Sequence, residues 1–248
     1  MSRSRAKTPP VQLLKVNGLP APVEVRRHPT ARRLTLRVSH SARAVVLTIP
    51  RHTDVREADR FLTKSLDWIR ERLECVPDAV PFADGAIVPL RGEAHVVAFA
   101  GRRRGHAVVE IEPATMAGSL PRVVVSGDEE HGARRLRDWL IGEARRDLES
   151  RVEYHTRRLG LAARRISVRD QKSRWGSCSS DGQLSFSWRL VLAPPLVLDY
   201  VAAHEVAHLA EMNHGPRFWK LVKKTMPQLE EAKHWLRMHG MQLYRYGA

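Results

Sequence analysis

Hydrophobic and polar positions change period several times along the chain. Over 23–38 and 44–49, β-branched residues in partial alternation predict two strands joined as a hairpin by a turn at 39–43. Over 54–74 the period lengthens. Val55, Ala58, Phe61, Leu62, Leu66, Ile69 and Leu73 recur at helical spacing, Thr53 or Asp54 is placed to cap the helix, and Pro77 stops it. Short β-rich pieces at 86–90, 94–100, 106–111 and 122–126 then alternate with turns containing Gly and Pro, which predicts a small antiparallel sheet. A strongly charged helix follows over 128–159, with Leu136, Trp139, Leu140, Ala144 and Leu148 on one face and Gly160 as its cap.

The last ninety residues have a different texture. A strand at 165–169 leads through the Gly- and Ser-containing segment 171–182 into a second strand at 183–190. Residues 196–212 are apolar on nearly every side, the mark of a buried helix. Pro216 opens a further helix, Pro227 breaks it, and an amphipathic piece from Gln228 ends near Gly240. Residues 1–18 are polar, basic and Pro-containing, and read as a loose tail. The organisation expected is a tail (1–18), a β-rich accessory segment (19–127) and a core (128–248).

At 248 residues and 43% hydrophobic, the chain has enough apolar material for a sizeable core. Cys75 and Cys178 are too few for a disulfide scaffold or an all-cysteine zinc site, which favours a reducing compartment. No signal-like apolar stretch and no uncharged apolar run of about 18 residues occurs, so a cytoplasmic protein without a membrane partner is expected. Charge changes this picture. The chain carries +15, and ten Lys and Arg against one Glu give the first fifty residues +9 of it, a field that attracts polyanions.

Inside the buried helix stands His204-Glu205-Val206-Ala207-His208. Histidines four apart share a helix face one turn apart, close enough for both imidazoles to reach one ion, and Glu205 beside them is placed to take a proton from a water that the ion activates. With 12 His and 16 Glu, chance gives about 0.04 such motifs, so coincidence is a poor account. Two core histidines satisfied by carbonyls are the bland alternative, and burying three polar groups together in an apolar helix without a partner is expensive. A catalytic zinc takes three protein ligands and leaves a position for water. His214, six residues on, is the expected third ligand, with Asn213 in a left-handed conformation ending the helix and turning His214 back towards the ion. Glu211 and, from the last helix, Glu230 or Glu231 are rivals for that place. Metzincins share the histidine spacing, but Glu211 stands where their turn glycine would be.

The run Gln171-Lys-Ser-Arg-Trp-Gly-Ser-Cys-Ser, then Trp188-Arg-Leu-Val-Leu-Ala-Pro, Leu198-Asp-Tyr-Val-Ala-Ala-His-Glu-Val-Ala-His-Leu and Asn213-His-Gly-Pro-Arg-Phe-Trp219, resembles the YgjP-like family of zinc metallopeptidases, relatives of the SprT-like and WLM peptidases. The likeness extends more weakly through Arg32-Arg-Leu-Thr-Leu-Arg-Val and residues 57–72. It implies an α+β fold with a zincin-like core, the HExxH helix packed on a small antiparallel or mixed sheet beneath an N-terminal β-rich accessory layer. It also implies one zinc per chain held by His204, His208 and His214, with Glu205 as catalytic base. Ser187 departs from the Asn expected there.

Peptide hydrolysis by this set needs an extended substrate along an exposed strand edge, for which 183–189 is the candidate. Lys172, Arg174 and Tyr200 are candidate oxyanion stabilisers. Arg169, Lys172, Arg174 and Arg217 are candidate substrate contacts; the alternative is that such cations pair with Asp170, Asp181 and Asp199 to fix the loop. Trp175 and Trp219 are packing residues or stacking platforms, and Cys178 reads as a small buried residue. Two other functions fit the residues. YgjP-like proteins have been connected with pyrophosphohydrolysis of nucleoside triphosphates such as UTP, and cations around a cleft suit a triphosphate. The basic surface also suits nonspecific nucleic-acid binding, alone or in guiding a peptidase to DNA-bound protein. The sequence leaves the oligomeric state open.

Overall fold

Pro29 divides the first stretch of β-branched residues, because it has no N–H to give to a ladder. The computed structural model describes residues 12–16, 19, 22–39, 44–74, 78–171 and 173–247, and forms two compact units, 1–78 and 79–248. In the first unit, β1 (Gln12–Leu14), β2 (Val23–His28), β3 (Thr35–Ser39) and β4 (Ala44–Pro50) make one sheet in the order β1-β2-β4-β3. β3 and β4 are the expected hairpin, whereas β2 runs parallel to β4. Most of the expected tail, and residues 40–43 of the expected hairpin turn, lie outside the described residues, but Gln12–Leu14 is a strand paired with β2 rather than loose chain.

The helix expected over 54–74 is broken in two, α1 (Val55–Lys64) and α2 (Leu66–Glu74). Asp54 caps α1 by accepting from the Arg56 N–H, and Ser65 ends it by turning its hydroxyl back to the Phe61 carbonyl at 2.8 Å, a local bond that competes with helical continuation. Ala58, Leu62, Ile69 and Leu73 close this unit's core on Val23, Val25, Val45, Leu47 and Ile49.

The second unit begins with β5 (Ile87–Leu90), β6 (Glu93–Phe99), β7 (Val109–Glu112) and β8 (Arg122–Val125), ordered β5-β6-β8-β7. This sheet is mixed rather than antiparallel, since β6 and β8 run parallel. α3 (Gly132–Leu159) ends at Gly160, whose φ of 67° is the left-handed cap its glycine permits. At 28 residues α3 spans about 42 Å, enough to serve two cores. Leu136, Leu140 and Ala144 cover the β5–β8 sheet, and Leu148 and Val152 pack on the C-terminal elements. That shared helix is why the division falls after Asp78 and not, as expected, after Gly127.

β9 (Arg165–Arg169), β10 (Gly176–Cys178) and β11 (Gln183–Ser187) form a small sheet ordered β10-β11-β9, with β9 parallel and β10 antiparallel to β11. The edge expected at 183–189 is therefore the central strand, hydrogen-bonded on both sides, and among the described residues the sheet's edges are β9 and β10, of which β10 is the one packed on α4. A 3-10 turn (Trp188–Leu192) leads into α4 (Pro195–Ala207), followed by α5 (Pro216–Thr225), α6 (Leu229–His239) and a final 3-10 turn (Gly240–Arg245). α4 packs on β10, α5 and α6. Among the described residues no helix is long and apolar enough to cross a membrane. The fold is α+β.

Asp199 pins α4 to α3. It accepts from Arg151 Nε at 2.5 Å and Nη2 at 3.0 Å, and from Nε2 of the fully buried His155 at 2.7 Å. Burial pushes its carboxyl up, but the bonds from His155 and Arg151 outweigh it and leave the pKa below the ordinary value. A depressed carboxylate stabilises fully above its unfolded pKa of about 3.9, and that contribution is lost as pH falls through the lower folded value. Asp199→Asn is expected to cost about 3 kcal/mol in urea unfolding at pH 7, with the gap from wild type narrowing in the acid range below that pKa. A pH-independent gap would show that shape, not charge, is what Asp199 contributes.

Candidate active site

α4 stops at Ala207, five residues short of the helix expected to run to 212. His208 explains the end: its Nδ1 donates to the Glu211 carbonyl at 3.0 Å, while the N–H groups of Leu209 and Ala210 take turn bonds to Val206 and Ala207. Among the described non-glycine residues only Arg91 has positive φ, so Asn213 turns the chain without the left-handed conformation expected of it. His214 nonetheless comes to lie beside the other two histidines. Nε2 of His204 and of His214 lie 3.0 Å apart, and ligand atoms of His204, His208 and His214 all fall within 4.8 Å of one another. Their ring centroids are 4.7–5.0 Å apart. Phe218, fully buried at the start of α5, has its ring 4.5–4.9 Å from all three and forms the floor beneath them.

Two partners fix the ligating edges. His208 Nδ1 is occupied by the Glu211 carbonyl, which leaves Nε2 as its free ligating atom, and Tyr200 stands 3.5 Å from His204 Nδ1. Tyr200 therefore stands against the Nδ1 side of His204. Burial, then the charges of Glu230 and Glu205, push its hydroxyl up to about 12. Burial, then the neighbouring histidines and Lys233, push His204 down to about 4; His208 is lowered too, by burial first. Neutral imidazoles are the form that binds metal. Zinc–nitrogen bonds of about 2.0–2.1 Å in a tetrahedron place donors about 3.3 Å apart, so this donor set fits a zinc ion.

Glu205 is 6% exposed and points from α4 towards β10. Burial pushes its carboxyl up to about 7, with Arg174 pulling the other way. Gly176 makes room for it: a Cβ there would stand 2.5 Å from Glu205 Oε1 and 2.6 Å from Cγ. Cys178, two residues on, is half-buried with its thiol raised by burial and then by Glu205, which suits the packing role expected of it. Trp175 packs on Tyr244 within the core, and Trp219 stands at the rim, 6.0 Å from the His204 ring with Lys233 over its face.

The remaining candidates do not converge. Arg169 is exposed on β9, the far edge of the sheet from β10; Lys172 lies outside the described residues; Arg217 is 88% exposed and reaches only Glu211, at 3.9 Å. Glu230 is held by Lys233 and Glu211 turns its side chain to Arg217, so neither joins the histidines. The aspartates expected to absorb the loop cations have other partners: Asp170 holds the buried Arg189, Asp181 lies near Arg164, and Asp199 holds Arg151. Gly176, Phe218 and Lys233 are the site residues that the sequence reading missed. A cavity of about 460 Å³ lined by Arg91, Asp147, Arg151, Leu196 and Asp199 holds none of the histidines.

The family model for the YgjP-like metallopeptidase domain matches residues 32–239. The chain belongs to this family. No curated protein matches it. Among solved structures, the metallopeptidase zymogen of Pyrococcus abyssi abylysin is similar at 22% identity and a TM-score of 0.34, over 38% of this YgjP-like chain and 92% of that one.

Proposed function

We propose that this metallopeptidase-family chain is a zinc-dependent peptidase with a zincin-like arrangement, holding one ion on His204, His208 and His214 and using Glu205 as general base. The observation that carries the reading is the convergence of three imidazole nitrogens beside a buried carboxylate at an edge strand. When bound, zinc supplies Lewis acidity, which lowers the pKa of water and polarises a carbonyl.

The chain's own residues supply the rest. Glu211's carbonyl and Tyr200's hydroxyl orient two imidazoles, and Phe218 excludes water from behind them. The edge strand β10 pairs with an extended peptide through backbone hydrogen bonds, beside Glu205. The Glu205 carboxylate takes a proton from the attacking water and returns it to the leaving amine. Nucleotide hydrolysis draws no support from the site, since a triphosphate needs cations gathered at one point and Arg169, Arg174 and Arg217 are dispersed.

The test is cleavage of extended peptides by zinc-loaded protein, abolished by a chelator and restored by zinc. His214→Ala should lower zinc affinity, read by competition with a chromophoric chelator, by more than the roughly 10–100-fold typical of losing an outer partner. Unchanged affinity would remove His214 from the ligand set.

A further inference from the structure

Several cations near the histidines lie along exposed chain rather than in one cluster, and most of them have no acidic partner among the described residues. Arg174, two residues before Gly176, acts on Glu205 through its charge yet makes no hydrogen bond or ion pair among the described residues. On α5, Arg217, Lys220 and Lys224 recur at i, i+3 and i+7, so they share an exposed face that begins beside His214 and runs for about 10 Å. Of these, only Arg217 has an acidic neighbour, the 3.9 Å approach to Glu211. Lys223 beside them is exposed and has no acidic partner among the described residues either. Carboxylates on the adjoining elements are mostly committed: Glu230 to Lys233, Asp170 to Arg189, and Asp181 to its own turn at Ser179 and Gln183, leaving Glu231.

We infer that the substrates of this site are acidic peptides, with Arg174 reading a carboxylate side chain close to the scissile bond and the Arg217–Lys220–Lys224 row reading carboxylates further along the chain. This rests on the peptidase reading above. Arg174 is exposed two residues before the first residue of β10, so a peptide laid along that strand, rising about 3.3 Å per residue, runs past the chain that carries its long side chain. Spaced cations match charges distributed along an extended chain. An exposed guanidinium meets a carboxylate with two parallel hydrogen bonds, which makes Arg174 selective for carboxylates over their neutral isosteres.

The experiment uses matched libraries of extended peptides in which Asp and Glu are replaced by Asn and Gln, so that only charge differs. Zinc-loaded wild type should cleave the acidic library with kcat/KM about tenfold above the amide library at low salt, the ratio shrinking as salt rises. Arg174→Gln should cut that ratio severalfold, mainly through KM, and Arg174→Glu should invert it. Arg134→Gln, an exposed arginine in the first turns of α3, should leave it unchanged. Equal cleavage of both libraries by wild type, or a ratio indifferent to Arg174, would overturn the assignment. The same libraries titrated onto the zinc-loaded Glu205→Gln protein read recognition without chemistry. Absence of all cleavage with retained, Arg174-dependent preference for acidic peptides would sink the peptidase reading alone, whereas equal affinities would sink this one. A single-stranded oligonucleotide that displaces the acidic peptides at lower concentration, again through Arg174, would reassign the row to nucleic acid.

Discussion

Glu205→Gln is expected to lower kcat for peptide cleavage by about 10²–10⁴-fold while zinc content and KM stay close to wild type. Gln matches Glu in shape, so Gly176 and the β10 edge keep their places and the three histidines keep theirs. What disappears is the proton acceptor beside the attacking water. A second effect accompanies the loss. Glu205 is 6% exposed, its carboxyl is pushed up to about 7 by burial, and no described side chain donates a hydrogen bond to it, so its ionised form is costly in the fold. The neutral variant should melt at the same temperature as the metal-free wild type or above it, the usual sign that a residue is kept for chemistry at some cost in stability. Calorimetry, metal analysis and steady-state kinetics on one preparation would check all three. Cleavage undiminished in this variant would show that another group is the base; lost zinc would show that the carboxylate helps hold the ion.

The parts of this site that sequence patterns reveal are those built from local spacing. A four-residue interval on an apolar helix places His204 and His208 together whatever the rest of the chain does, and Asp54 and Gly160 mark helix ends by capping chemistry that acts within one turn. The parts that depend on distant partners were hidden. The parallel strand pairings among the described residues, β2 with β4, β6 with β8 and β9 with β11, join strands whose own sequences look the same in either direction. For that reason 183–189 reads as a usable edge although β9 and β10 occupy both of its sides. Asp170 reads as a partner for nearby loop cations, yet it is claimed by Arg189, nineteen positions on and 2% exposed, whose Nη1 also donates to the Leu243 carbonyl at 3.1 Å. The end of α4 is hidden from the sequence because Leu209, Ala210 and Met212 prolong the apolar pattern, while the signal that ends the helix is a side-chain bond from His208 to the Glu211 backbone. Phe218 stayed unnoticed because an aromatic residue in an amphipathic helix reads as ordinary core, and its distinction lies in what it touches.

Gly176→Ala is expected to be the most informative substitution outside the metal-binding side chains. Gly176 does not have the positive φ that usually explains a glycine, so alanine meets no backbone penalty there. Its cost is steric and falls on one group: the added methyl would lie 2.5 Å from Oε1, 2.6 Å from Cγ and 2.8 Å from Cδ of Glu205. β10 is tied to β11 through the Gly176–Phe186, Ser177–Ser185 and Cys178–Leu184 register, and Phe186 is fully buried, so the strand has little freedom to retreat. The carboxylate moves instead. A displacement of about 1 Å at the base costs about 10²-fold in rate, so kcat should fall by that order with zinc affinity unchanged, because the three atoms nearest the new methyl all belong to Glu205. Overpacking should also cost about 1–3 kcal/mol of stability. Ser177→Ala, one residue along and directed to the opposite face of the strand, separates the two effects: it should leave kcat near wild type. If Gly176→Ala cleaves peptides as fast as wild type while remaining folded and zinc-loaded, the carboxylate position between α4 and β10 is not the one from which Glu205 works, and the role assigned to that edge fails with it.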